Sequence, residues 1–238
     1  LLYIEHIRKV IVAAELLGVG RINTFVGRDW TKSVDDNWPR FLEIWRPLIQ
    51  FAADHGVKVG IENCPMFFTN DEWPGGKNLA ISPAVWDKMF ELIPSPALGL
   101  NYDPSHFILQ CMDYVGFIDI YASKIKAFHV KDAEFNPTGR QGVYSGYAPW
   151  LQRAGRFRSV GDGQVDFKGI FSKLAGYDYE GWAVLEWECC IKHPEDGARE
   201  GAQFIKDHII RVTPRAFDDF AASGTDEKAN RRLLGLDR

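Results

Sequence analysis

The 238-residue sequence is poor in cysteine and in net charge, and it lacks long apolar runs. Its four cysteines contain no C-x-x-C pair, and the adjacent Cys189 and Cys190 are no disulfide framework, so we expect reduced thiols in a cytoplasmic protein. A net charge of only −4 argues against a protein whose main task is to bind nucleic-acid phosphates. Because no apolar run approaches the roughly 20 residues that cross a bilayer, no membrane partner is expected.

What the sequence has instead is a set of short apolar runs that each deliver an acid or a histidine near the carboxyl end. The runs at residues 57–65, 98–106, 125–132 and 183–188 carry Glu62, Asp103, His129 and Glu186. Parallel strands place their carboxyl ends on one side of a sheet, where ligands bind, so these four side chains are expected around one mouth. Three carboxylates and a neutral imidazole suit a divalent cation, which predicts a metal-dependent enzyme.

Helical patterns alternate with these runs and predict an α/β fold with a parallel sheet. We expect helices at 2–17, from Asp36 or Asn37 to 56, from Ser82 to 93, from Asp166, and from Pro194 to about 212. Residues 22–27 add a strand, and 134–163 are predicted to be irregular. A closed (β/α)8 barrel needs eight strands, so we expect about three βα units to be missing from the front. The open sheet edges of such an arc should favour association into a homo-oligomer.

The order of these motifs resembles one protein family. I-E-N, D-P-S-H, F-H-V-K-D and L-E-W-E on successive strands are similar to the xylose-isomerase-like TIM barrels of the sugar phosphate isomerase/epimerase superfamily, over most of residues 1–212. The resemblance implies a (β/α)8 barrel, with strands four to eight in residues 1–220. The polar and charged composition of residues 221–238 predicts a tail or a docked terminal helix. The resemblance also implies a metal-dependent isomerase or epimerase of a sugar, sugar phosphate or related polyol.

The resemblance further implies roles for particular residues. Glu62, Asp103, His129 and Glu186 would bind one divalent metal, with manganese preferred and magnesium, cobalt or zinc as alternatives. Glu188 competes with Glu186, which we prefer because it directly follows the apolar run. His106 is expected to contact a substrate hydroxyl.

One position departs from the family's pattern. Phe135 stands where the epimerases carry an arginine after the metal histidine, so Arg140 or Arg158 would have to replace that arginine. Lys131 is a further candidate, because it could reach a substrate phosphate.

The family chemistry uses the first and last ligands as acid and base. A cation bound to the substrate carbonyl stabilises an enediolate, and Glu62 and Glu186 would exchange a proton on its two faces. A dehydratase of the inosose type would use the same intermediate and expel a hydroxyl. The sequence does not separate these outcomes.

Each candidate residue also has a purely structural interpretation. Glu62 and Asp103 could cap a helix or hold a turn, His129 could be a core histidine, and Cys64 is expected to be a buried thiol rather than a ligand. We expect Asp132 to form a surface ion pair with Lys131. Trp187 and the aromatic residues between 144 and 157 are expected to form lid or interface packing rather than a sugar-stacking platform.

Three other functions stay open. Arg153, Arg156 and Arg158 among aromatic residues would suit a DNA-repair hydrolase of the endonuclease IV type, but the acidic total and the small number of histidines, six, count against it. A protein that binds a polyol without converting it is a second alternative. An inactive piece of a barrel is the third.

Overall fold

A five-stranded parallel sheet forms the centre of the fold. The computed structural model describes residues 2–65, 76–137, 142–143, 149–212 and 226–236. In chain order the elements are α1 (Leu2–Leu16), β1 (Arg21–Thr24), α2 (Val34–Asp54), β2 (Lys58–Glu62), α3 (Pro83–Leu92), β3 (Leu98–Tyr102), α4 (Ser105–Ile108), α5 (Gly116–Tyr121), β4 (Ile125–Val130), β5 (Asp132–Phe135), β6 (Gly155–Arg158), α6 (Phe167–Gly176), β7 (Trp182–Leu185), α7 (Pro194–His208) and α8 (Glu227–Leu233).

The sheet has the order β1-β2-β3-β4-β7, and all neighbouring strands are parallel. Their carboxyl ends therefore lie on the same side. β2 and β3 are almost wholly buried, whereas the edge strand β7 leaves Trp182 62% exposed. The predicted TIM-barrel sheet is confirmed, as an open arc of five strands in the described part of the chain.

The helices follow the apolar patterns of the sequence. In α2 the stripe Phe41, Trp45, Leu48, Ile49 and Ala52 is buried, as a helix with one core-facing side requires. The predicted cap at Asp36 or Asn37 is wrong. Ser33 caps the helix because its hydroxyl accepts the Asp36 N–H, and its serine-to-acid spacing resembles a capping box.

Two further predictions need correction. The stretch predicted to be irregular contains an antiparallel pair, β5 with β6. The helix that begins at Pro194 ends at His208 instead of continuing to about residue 212. Helix α8 lies within the predicted polar tail, and none of the described helices is both long and apolar enough to cross a membrane.

Candidate metal centre

The carboxyl end of the sheet gathers the four predicted ligands. Glu62 ends β2, Asp103 follows β3, His129 lies in β4 and Glu186 follows β7. Potential ligand atoms of these four residues all lie within 4.8 Å of one another. The structure therefore brings together the residues named from the sequence, including Glu186, while their role as ligands stays a prediction.

His129 lies at the centre of this group. Its Nδ1 is 2.5 Å from Oε2 of Glu186, 3.6 Å from Oε2 of Glu62 and 3.8 Å from Oδ2 of Asp103. These separations bring one nitrogen and three carboxylate oxygens around a common point. That donor set matches the mixed imidazole and carboxylate coordination of a divalent cation.

The two carboxylate oxygens of Asp103 have different surroundings: one holds a turn, and the other faces the predicted metal site. Its Oδ1 accepts hydrogen bonds from the backbone N–H of Ser105 at 2.9 Å and from the Ser105 hydroxyl at 2.6 Å, so it holds the turn that leads into α4. Its Oδ2 is buried and accepts no hydrogen bond from the described residues. A buried carboxylate oxygen that accepts no hydrogen bond and lies beside two histidines fits a cation ligand, since a buried acceptor without a hydrogen bond is costly.

The acids favour positive charge at this point. Burial opposes a charge on His129, but Asp103, Glu186 and Glu62 raise its pKa to about 10. Burial acts in the opposite direction on Glu186, yet the His129 hydrogen bond and the Lys131 charge lower its pKa. The electrostatic field of the group therefore suits a bound cation.

His106 lies on the other side of Glu62. Its side chain is only 4% exposed, and Nε2 is 3.3 Å from Oδ2 of Asp103 and 3.7 Å from Oε1 of Glu62. The ring meets the edge of Phe157 with centroids 5.4 Å apart. His106 thus lies directly beside the metal group, as its predicted contact with a substrate hydroxyl requires.

Lys131 directly follows β4 and faces the same side as His129, because side chains alternate along an extended chain. Its Nζ lies 3.0 Å from Oε1 of Glu186 and 2.7 Å from Oε2 of Glu188, and 4.4 Å from the centre of the Phe157 ring. Burial opposes this charge, but the neighbouring carboxylates raise the pKa of Lys131. Lys131 therefore pairs with Glu188 and holds it outside the four-residue group.

The prediction of a surface ion pair at Asp132 is wrong. Asp132 is buried, and its carboxylate accepts backbone N–H bonds from Ala133, Gly161, Gly163 and Val165. Three of these donors, Gly161, Gly163 and Val165, lie on a loop about 30 residues away along the chain, so short-range patterns could not reveal them. Asp132 is the anchor of this loop.

The arginine candidates separate in the structure. Arg158 pairs with Glu134, and the same carboxylate also pairs with Arg156. Arg140 lies outside the described residues. Arg158 as a substrate contact stays a prediction. A substrate would have to compete with Glu134, with which the guanidinium is already paired.

Three asparagines support the site and were missed from the sequence. Asn63 exchanges two hydrogen bonds with the backbone of Asp103, at 2.8 and 2.9 Å, and so ties the ends of β2 and β3 together. Asn78 donates to the carbonyl of Glu62 at 2.7 Å. The side-chain nitrogen Nδ2 of Asn101 lies 2.9 Å from Nε2 of His129. The alternation of side chains along β3 could have indicated Asn101, because Asn101 and Asp103 are two residues apart and share one face.

An aromatic cleft opens next to Lys131. Trp150, Phe157 and Trp187 line a cavity of about 340 Å³ together with Glu188, Cys189 and Cys190. Tyr144 and Tyr147, which belong to the same aromatic stretch, lie outside the described residues. Phe157 contacts both His106 and Lys131, so part of the predicted lid packs directly against the candidate site.

Comparisons with known proteins agree with the TIM-barrel fold described above. Residues 2–208 match the family model described as xylose isomerase-like TIM barrel. An inosose dehydratase of Clostridium botulinum (strain Alaska E43 / Type E3) is 28% identical over 177 residues, which are 73% of this chain and 55% of that protein. The chain spans about half the length of the curated relatives it matches.

Two solved structures show the same fold. The probable 3-DHS dehydratase AsbF from Bacillus anthracis superposes with a TM-score of 0.64 at 18% identity, over 85% of this chain and 69% of that chain. The D-allulose 3-epimerase from Methylomonas sp. in complex with D-allulose gives a TM-score of 0.60 at 17% identity, over 86% and 68% of the two chains.

Proposed function

This chain belongs to the xylose isomerase-like TIM-barrel family, and we propose that it carries out the cation-assisted dehydration of a polyhydroxylated ketone of the inosose class. Manganese is the proposed cation, because three carboxylates and one imidazole favour a hard to borderline ion. The substrate would be a small sugar-like or polyol molecule, and the protein would act in the cytoplasm. The similarity to an inosose dehydratase supports this choice among the outcomes that share an enediolate.

A divalent cation held by Glu62, Asp103, His129 and Glu186 would polarise the ketone and make the neighbouring C–H bond acidic. In the proposed reaction Glu62 takes that proton on Oε1, the oxygen that faces His106. His106 donates its Nε2 proton to the hydroxyl on the next carbon, which leaves as water while the carbon–carbon double bond forms. His106 is buried, and its Nε2 lies 3.3 Å from Oδ2 of Asp103 and 3.7 Å from Oε1 of Glu62, so the two acids favour the protonated ring that this role requires.

The contact between Lys131 and Glu186 is the observation that carries the choice of dehydration. An epimerase that works with two carboxyl groups must return a proton from the opposite face, so its second carboxyl group has to carry that proton. Lys131 lies 3.0 Å from Oε1 of Glu186 and favours the ionised carboxylate. Glu186 therefore suits a cation ligand better than a proton donor, and a dehydratase needs no proton from that face.

The decisive experiment offers the protein an inosose with Mn²⁺ in deuterium oxide. We expect a product that has lost one water, detected by mass spectrometry. Glu62→Gln should abolish turnover and retain part of the bound Mn²⁺, and Glu186→Gln should weaken Mn²⁺ binding. Glu188→Gln is the matched control, because Glu188 lies two residues further along and pairs with Lys131 outside the four-residue group. Equal effects of the two substitutions would contradict the assignment of Glu186.

Epimerisation is the second candidate, supported by the fold shared with the D-allulose 3-epimerase. In that case ketoses incubated in deuterium oxide should gain deuterium without losing water, and Glu186 would act as the second acid/base group. Deuterium uptake into ketoses, together with no conversion of any inosose, would replace dehydration by epimerisation.

The ion pairs of the arginine cluster weigh against the DNA-repair alternative. Glu134 pairs with Arg156 and Arg158, and Arg153 stacks on Trp150 at 4.2 Å from the ring centre. Arginines neutralised or stacked in this way bind phosphate less readily than a free basic patch. Nicking of abasic DNA by the Mn²⁺-loaded protein would contradict this argument.

A further inference from the structure

A second group of metal-binding side chains lies next to the first and shares Glu62 with it. Glu62, Cys64 and His106 offer ligand atoms that lie within 4.8 Å of one another. Cys64 follows Glu62 by two residues, so an extended chain turns both side chains to the same face. This group combines a sulfur, a nitrogen and an oxygen, whereas the first group has three oxygens and one nitrogen.

The two oxygens of Glu62 face different groups. Oε2 lies 3.6 Å from Nδ1 of His129, and Oε1 lies 3.7 Å from Nε2 of His106. His106 is 4% exposed, and its buried Nε2 lies 3.3 Å from Oδ2 of Asp103 but makes no hydrogen bond of good geometry with the described residues. Two ligand atoms of a tetrahedral zinc ion are about 3.4 Å apart, so the separation of 3.7 Å on the His106 side needs only a small adjustment.

We propose that Glu62, Cys64 and His106 form a soft-metal site that binds Zn²⁺ and thereby inhibits the enzyme. Thiolate and imidazole are preferred zinc ligands, and three protein ligands with one open position are a common zinc arrangement. The thiol of Cys64 releases its proton to solvent when the ion binds. The bound ion occupies Oε1 of Glu62 and Nε2 of His106, which are the base and the acid of the proposed reaction.

The site itself follows from these three side chains, while its inhibitory effect rests on the proposed function. The two can be separated by spectroscopy, because Co²⁺ bound to a thiolate gives a charge-transfer absorption in the near ultraviolet that oxygen and nitrogen ligands do not give. The test uses the full chain after treatment with a chelator, titrated with Co²⁺. We expect two Co²⁺ per chain and a thiolate band in the wild type.

Cys64→Ser should lose the thiolate band and one of the two bound ions, and Cys64→Ala should do the same. Cys190→Ser is the matched control, because Cys190 is an exposed free cysteine and should leave the band unchanged. In the Mn²⁺-loaded protein, inhibition of Cys64→Ser by zinc is measured relative to the variant's own turnover without zinc. The substitution should raise the zinc concentration for half-inhibition at least about tenfold, since even outer-shell changes cost a metal site that much affinity.

The outcomes separate the two proposals. A wild type without the thiolate band, or a Cys64→Ser variant that keeps it, overturns the second site whether or not the protein is active. A thiolate band together with turnover that zinc does not inhibit overturns the inhibitory role. A thiolate band in a protein without dehydratase activity supports the site while the proposed function fails.

Discussion

Replacing Lys131 by methionine should destabilise the cation-free protein and tighten its binding of a divalent cation. Lys131 is only 2% exposed, and its Nζ contacts Glu186 and Glu188 and lies 4.0 Å from Oδ2 of Asp103. Methionine keeps most of the buried volume and removes the charge. The expected loss of stability therefore comes from the electrostatic interactions of the site and not from packing.

The magnitude follows from these contacts. Two unit charges 4 Å apart interact by about 4 kcal/mol at an effective dielectric constant of about 20. Removing one partner of a buried pair costs about 3–5 kcal/mol. Glu188 has a half-exposed side chain and Glu186 a partly exposed one, so both regain water, and we expect the low end, about 3 kcal/mol. Loss of a nearby positive charge should also tighten cation binding by at least about tenfold, or 1.4 kcal/mol.

Urea unfolding with and without Mn²⁺, together with calorimetric titration of Mn²⁺, measures both effects. Lys88→Met is the matched control, because Lys88 forms an exposed pair with Glu91 whose loss should cost less than about 0.5 kcal/mol. We expect saturating Mn²⁺ to restore much of the stability that Lys131→Met loses. If Lys131→Met unfolds like Lys88→Met and binds Mn²⁺ like the wild type, the charge balance inferred for the site is wrong.

Substitutions at Gly99, Asp132 and Asn63, with Gly176→Ala as a control, test the scaffold through the free energy of unfolding. Gly99→Ala should destabilise strongly, because its Cβ would lie 2.3 Å from the carbonyl oxygen of Lys124, whereas Gly176→Ala meets nothing within 4 Å and should be neutral or stabilising. Asp132→Ala should cost about 3 kcal/mol, since four backbone N–H groups lose a charged acceptor, and equality with the wild type would contradict its role as anchor. Asn63→Ala should cost about 2 kcal/mol and weaken Mn²⁺ binding, and unchanged Mn²⁺ affinity would show that this amide does not position the site.

The strand ends could be predicted because the necessary information is local. The apolar run at 57–65 contains β2, and Glu62, the last residue of that strand, reaches the group as expected. The preference for Glu186 over Glu188 also depended on local information, the position directly after an apolar run. Parallel pairing then follows from the alternation of strands and helices, so four separate segments could be expected at one mouth.

Features made by distant segments could not be predicted in the same way. β5 and β6 pair across about 20 residues with no short turn between them, so no hairpin signal was available. Asp132 followed a strand of the expected type, and only the loop at 161–165 shows that its carboxylate is a backbone acceptor. The contact of Lys131 with Glu186 has the same origin, because β4 and β7 are neighbours in the sheet but far apart in the chain.

This division between local and distant information explains why the chemistry is easier to infer than the substrate. The candidate ligands lie at strand ends, where the register of the sheet fixes them, and the proposed removal of a proton next to a carbonyl depends on these residues. The cleft that would receive the rest of the substrate is lined by Trp150 and Phe157 from the β5–β6 region and by Trp187 after β7. Loops carried by a rigid scaffold determine specificity, so exchanging these aromatic residues should change which ketone is bound before it changes how the proton is removed.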